Sequence, residues 1–226
     1  MPVPAPPARS AARARQALLL GELLLLFVVV PLALVPLRHR FATLIIPALL
    51  LLAAGCLAVL LLDRDFDRRS LWNIRGLERG LGRALLVWAL GALGLALFTW
   101  WLRPDLFLRL PRESTTLWLM ILVLYPLVSV YPQELLFRTF LFHRYRSLLS
   151  ERSLVGISAV SFALAHLFFA NWIAPALSLV GGWLFATSYA RHRSTLRVCV
   201  EHGYWGNVLF TVGLGWYFYG GSISAS

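Results

Sequence analysis

The feature that most narrows the fold of this chain is a series of long apolar runs, at residues 18–37, 41–62, 81–102, 116–142, 154–172, 174–190 and 196–219. A helix needs about 20 largely apolar residues to cross the hydrocarbon of a bilayer, so each run is a candidate span. Inside lipid every backbone N–H and C=O must find its partner within the segment, which makes helix the expected conformation. The fold class is therefore all-α: a polytopic transmembrane helix bundle of about seven spans. Composition agrees, since 59% of the residues are hydrophobic against about 45–50% in soluble domains.

Residues 1–17 are mostly Pro, Ala and Arg and cannot bury a core, so a disordered cytoplasmic tail is expected there. The first run is too long for a signal peptide and has no clear small-residue cleavage site, so it is read as a retained span. Residues 18–226 form one transmembrane domain. Cys56 and Cys199 lie at unrelated positions in apolar segments and suggest neither a disulfide framework nor a metal cluster. The longest connection, 63–80, mixes three Asp with Arg, Phe66, Leu71 and Trp72, and is expected to form a short amphipathic helix with Trp72 at the headgroups.

The net charge is +11, and every basic residue is Arg. In a soluble protein this would suggest nucleic acid, but here the arginines sit between apolar runs, where charge sets orientation; no nucleic-acid partner is expected. Counted over alternate connections, 15 arginines fall on the side of the N-terminal tail. Five (Arg38, Arg40, Arg103, Arg109 and Arg112) fall on the other, with Arg138 inside a span. The bias places the N-terminus in the cytoplasm of a multi-pass protein of the inner (plasma) membrane.

Polar residues interrupt three of the later runs. Tyr-Pro-Gln-Glu-Leu-Leu-Phe-Arg places Gln133, Glu134 and Arg138 at membrane depth, with Glu134 and Arg138 one helical turn apart. A charge there costs at least about 2.5 to 3.5 kcal/mol and is found paired, in a working site or a structural ion pair. The fifth run carries Phe162 and His166, and the seventh carries Glu201, His202 and Asn207. A lone histidine on an apolar face is usually a packing residue. One acid and two imidazoles on three spans form a candidate site open to the cytoplasm.

These residues resemble the CPBP intramembrane proteases, which include the CAAX prenyl endopeptidases and bacteriocin-processing or immunity proteins. The motifs of that family are Glu-Glu-x-x-x-Arg, Phe-x-x-x-His and His-x-x-x-Asn on successive helices. They are matched here by Gln133-Glu134 to Arg138, by Phe162 to His166, and by His202 to Asn207, within a core at about 113–219. The resemblance implies an intramembrane endopeptidase that hydrolyses a peptide bond of a membrane-associated substrate. Two departures stand out. Gln133 replaces the first Glu and cannot accept a proton near neutral pH. Asn207 follows His202 by five residues instead of four, about 140° around an ideal helix, unless a π-bulge at Gly206 corrects the register.

On this reading Glu134 is the general base, His166 orients the water, His202 and Asn207 stabilise the oxyanion, and Arg138 holds the carboxylate in place. A zinc site of Glu134, His166 and His202 is the rival chemistry, since two His and one Glu form a known ligand set. Water activation without metal needs no added assumption, so no cofactor is expected and zinc ranks second. A non-catalytic scaffold or immunity protein of the same family, favoured by Gln133, and a small transporter lining a path with these residues are the other readings. With seven crossings, a reporter fused after Ser226 is expected on the outer side. A cytoplasmic signal there would refute that orientation.

Overall fold

A computed structural model describes residues 9–74 and 81–219, with side chains from 11–74 and 85–219. Among these residues all regular structure is helical. Six helices are long and apolar enough to cross a membrane: α1 (Ala11–Leu34), α2 (Ile45–Leu62), α3 (Leu85–Leu102), α4 (Thr115–Tyr145), α5 (Glu151–Phe169) and α6 (Ile173–His192). The seventh predicted run forms α7 (Thr195–Val212), 18 residues long. It fails an apolarity count because Arg197, Glu201, His202 and Asn207 lie on it, not because it is short.

Connections at the two ends show that α7 runs the length of the bundle. At one end Asp63 meets His143, Ser194 Oγ donates to the Asn73 carbonyl, and Arg193 pairs with Glu151. At the other, Leu108 N–H donates to Val212 O, Arg103 bonds the Tyr217 hydroxyl, and Asn171 Nδ2 donates to Tyr217 O at 2.9 Å. The chain thus passes between the ends seven times, six on apolar helices and once on the helix that carries the polar groups.

Two sequence expectations are corrected. Helix α1 extends back to Arg9, so the expected tail is helical over 9–17, where Ala11, Ala12 and Ala14 favour helix; residues 1–8 lie outside the described residues. The connection after α2 contains no amphipathic α-helix over 63–74. Asp63 Oδ1 and Asp67 Oδ1 accept from the backbone of Asp65 and Arg69, which closes tight turns, and a 3₁₀ helix spans Arg68–Leu71. Phe66 and Leu71 are buried in the core instead of facing a membrane surface. Trp72 is exposed as expected, and stacks on Tyr131. Residues 75–80 lie outside the described residues.

Helix α4 organises the bundle. Its backbone widens into π-helix twice, at Pro126–Val130 and Leu135–Phe140. Pro132 lacks an N–H and crowds the turn before it, where the first wide stretch falls, a clash that an α-helix absorbs by a kink or a bulge. The second wide stretch is wholly buried, and Ser158 Oγ on α5 donates to the Phe137 carbonyl at 2.7 Å. Phe27, Phe142 and Tyr145 share its buried core, while Leu51, Leu62, Trp101, Val123 and Leu127 point outward. Glu22 of α1 accepts two bonds from Arg144, at 2.9 and 2.7 Å, and one from the Tyr145 hydroxyl.

Helices α5 and α6 approach most closely where Gly182 faces Ala159. A Cβ at 182 would lie 3.0 Å from the Ala159 Cα, whereas one at 181 would meet only the Phe185 ring edge, at 3.2 Å. Small residues at such crossings let membrane helices pack backbone to backbone. Gly182→Ala is expected to destabilise the bundle by about 1–3 kcal/mol, read as an earlier unfolding midpoint in denaturing detergent, with Gly181→Ala near neutral. Equal effects would refute the close crossing.

Candidate active site

The second π stretch begins immediately after Glu134 and turns its carboxylate inward, together with Arg138, to complete burial at 0% exposure each. Glu134 Oε2 and Arg138 Nε are 3.2 Å apart. The alignment is too poor for a hydrogen bond, so both atoms remain without hydrogen-bond partners. The guanidinium reaches α6, where Nη2 donates to Gly182 O at 3.4 Å. It lies 4.4 Å from the Phe162 ring centroid and 5.6 Å from that of Phe185. Aromatic faces attract a desolvated cation, which offsets part of the burial cost.

The other carboxylate oxygen, Oε1, is 2.7 Å from His202 Nδ1. Nδ1 therefore carries a proton and donates it. The opposite ring nitrogen, Nε2, is 3.0 Å from the Tyr125 hydroxyl. Phe185 stacks on the His202 ring at 4.7 Å, and Phe162 meets it edge-on at 5.5 Å. Helices α4, α5, α6 and α7 thus enclose a chain of groups, Arg138, Glu134, His202 and Tyr125, within one aromatic cage.

His166 stands apart from this chain. Its Nδ1 donates to the Phe162 carbonyl one turn back, at 2.7 Å, where α5 gives way to a 3₁₀ turn. The half-buried ring lies among Phe162, Phe169 and Phe218, and among the described residues its Nε2 has no hydrogen-bond partner. The Phe162 ring lies against both imidazoles, 4.6 Å from His166 and 5.5 Å from His202. Of the three groups expected to converge, two are bonded and the third is across a phenyl ring. Among the described residues no three His, Cys, Asp or Glu side chains converge to hold a metal ion.

Gln133 donates to Ser129 Oγ at 2.7 Å, and its Oε1 is buried without a partner. Asn207 departs from the expectation. Helix α7 is α-helical throughout, with no π-bulge at Gly206. Asn207 consequently faces away from His202, donates to Leu122 O at 3.1 Å, and lines a groove of about 480 Å³ with Trp118, Leu122 and Tyr204. Glu201 is held by Ser188 and Arg197. Sequence reasoning missed Tyr125, Phe185 and Gly182. The one visible signal was a tyrosine hydroxyl placed inside an apolar run, just before Pro126.

A bundle of apolar helices with a sealed carboxylate, imidazole and guanidinium defines a multi-pass membrane protein with a polar site buried between spans. Residues 114–209, which hold all of that site except Phe218, match the model of the type II CAAX prenyl endopeptidase Rce1-like family. That match supports membership of the CPBP, or CAAX-protease-like, family. No curated protein and no solved structure matches it.

Removing one partner of a buried ion pair leaves an uncompensated charge, at a cost of about 3–5 kcal/mol. Arg138→Leu is expected to destabilise the protein by that amount, and Glu134→Gln added to it to restore part of the loss. A double variant no more stable than Arg138→Leu would show that the two charges do not compensate one another.

Proposed function

We propose that this chain is an intramembrane endopeptidase that cleaves a membrane-associated protein or peptide from the cytoplasmic side of the plasma membrane, its own N-terminus being cytoplasmic. The observation that carries the reading is Glu134: one oxygen is anchored on His202 while the other, beside Arg138, is buried and free to accept. A carboxylate oriented in this way can bind a water and take its proton as the water oxygen adds to the scissile carbonyl carbon. The carbonyl π pair moves onto oxygen; collapse of that intermediate breaks the C–N bond, and the departing amine takes the proton back from Glu134. His166, whose Nε2 is free, is the second acceptor, and it shares the water once substrate displaces the Phe162 ring. Glu134 works without a cofactor, so turnover should resist chelators; loss with chelator and recovery with zinc would reverse this.

A second reading, a non-catalytic member of the family, is favoured by Gln133, whose amide is occupied with Ser129 and cannot serve as a base. The two are separated by comparing the membrane peptides of cells that make wild type, Glu134→Gln or Gln133→Glu at matched levels of folded protein. The endopeptidase is expected to lose turnover by about 10²–10⁴-fold in the first variant and to keep or gain it in the second. Identical peptide profiles in all three would refute catalysis.

A further inference from the structure

The family pattern places an Asn four residues after the histidine, and here that position is Gly206. Four residues turn an α-helix by about 40° from a full circle, so position 206 shares the face of His202, whereas Asn207 does not. The space beside Gly206 is already filled. A side chain added there would run into the ring and hydroxyl of Tyr125, and that same hydroxyl is the group 3.0 Å from His202 Nε2. The missing side chain on α7 and the tyrosine that enters from α4 thus occupy one volume.

We propose that Tyr125 supplies the oxyanion donor, its hydroxyl standing where a side chain at position 206 would otherwise reach. This rests on the endopeptidase reading above. Peptide hydrolysis develops negative charge on the carbonyl oxygen, and a pre-aimed O–H stabilises it. With His202 neutral, Nδ1–H donates to Glu134, and Nε2 accepts from Tyr125, whose O–H re-aims by turning about its C–O bond. With His202 as imidazolium, Nε2–H donates to the Tyr125 oxygen and the hydroxyl hydrogen is free to donate to the oxyanion. In either form the proton stays on tyrosine, and the donated hydrogen bond strengthens as charge builds. Removing such a donor typically lowers turnover by about 10²–10³-fold. The aromatic contact of Tyr125 with Phe210, at 5.3 Å, fixes the ring independently of its hydroxyl.

The test uses the full chain in lipid nanodiscs and two probes: a 20-residue leucine-rich transmembrane peptide, and the same peptide with a phosphinate in place of one peptide bond. The phosphinate mimics the tetrahedral intermediate. Tyr125→Phe, which keeps the ring, is expected to weaken phosphinate binding at least tenfold and binding of the intact peptide less than twofold. Tyr125→Ala with Gly206→Asn is expected to recover phosphinate binding at least fivefold over Tyr125→Ala alone, because the vacated space admits the amide. A wild type that binds phosphinate no tighter than intact peptide overturns the endopeptidase reading and this proposal with it. A wild-type preference that survives Tyr125→Phe, or equal weakening of both probes, overturns the role of Tyr125 alone.

Discussion

Burial of the Glu134–Arg138 pair inside a widened turn of α4 is the constraint around which the other helices are arranged. Two charges taken out of water require partners on every side; α5 and α7 each supply one and α6 supplies two. Phe162 and Phe185 cover the guanidinium, Gly182 offers a carbonyl, and His202 takes the free side of the carboxylate. Gly182 serves twice: its missing side chain lets α6 reach α5, and its backbone oxygen then lies within reach of Arg138.

The widened backbone of α4 at Leu135–Phe140 underlies this arrangement. The π stretch after Pro132 brings six consecutive residues to full burial, which a uniform helical face cannot do. Ser158 then bonds the carbonyl of Phe137, and Thr139 bonds Thr195 across to α7 at 2.7 Å. Local backbone irregularity and site assembly are therefore one event in this fold.

Chemistry follows from which atoms this packing leaves unmatched. Glu134 Oε2, Arg138 Nε and Gln133 Oε1 are buried polar atoms without hydrogen-bond partners. Such atoms are expensive in a folded protein and are retained where a reactant or water can meet them. His166, with one nitrogen committed to a carbonyl, adds a free acceptor beyond the Phe162 ring. The carboxylate with its bonded His202 and the second imidazole thus lie on either side of one phenyl ring, Phe162.

Much of this was legible in the chain itself. Run length and apolarity determine a helical membrane bundle, because a helix satisfies its backbone polar groups within each segment. Six of the described helices are long and apolar enough to cross, and the contacts at both ends of α7 supply the seventh pass. The spacing of Glu134 and Arg138 determines that they share a face, and the five-residue step from His202 to Asn207 determines that they do not. What sequence spacing could not decide is which face of each helix meets which neighbour. Tertiary packing placed His166 behind Phe162 and turned Asn207 into a groove. It also brought Tyr125 across to His202, through contacts 77 residues apart that no local pattern encodes. The connection after α2 shows the same limit: its Asp residues closed turns because Phe66 and Leu71 had a core to enter, and only the assembled bundle provides that core.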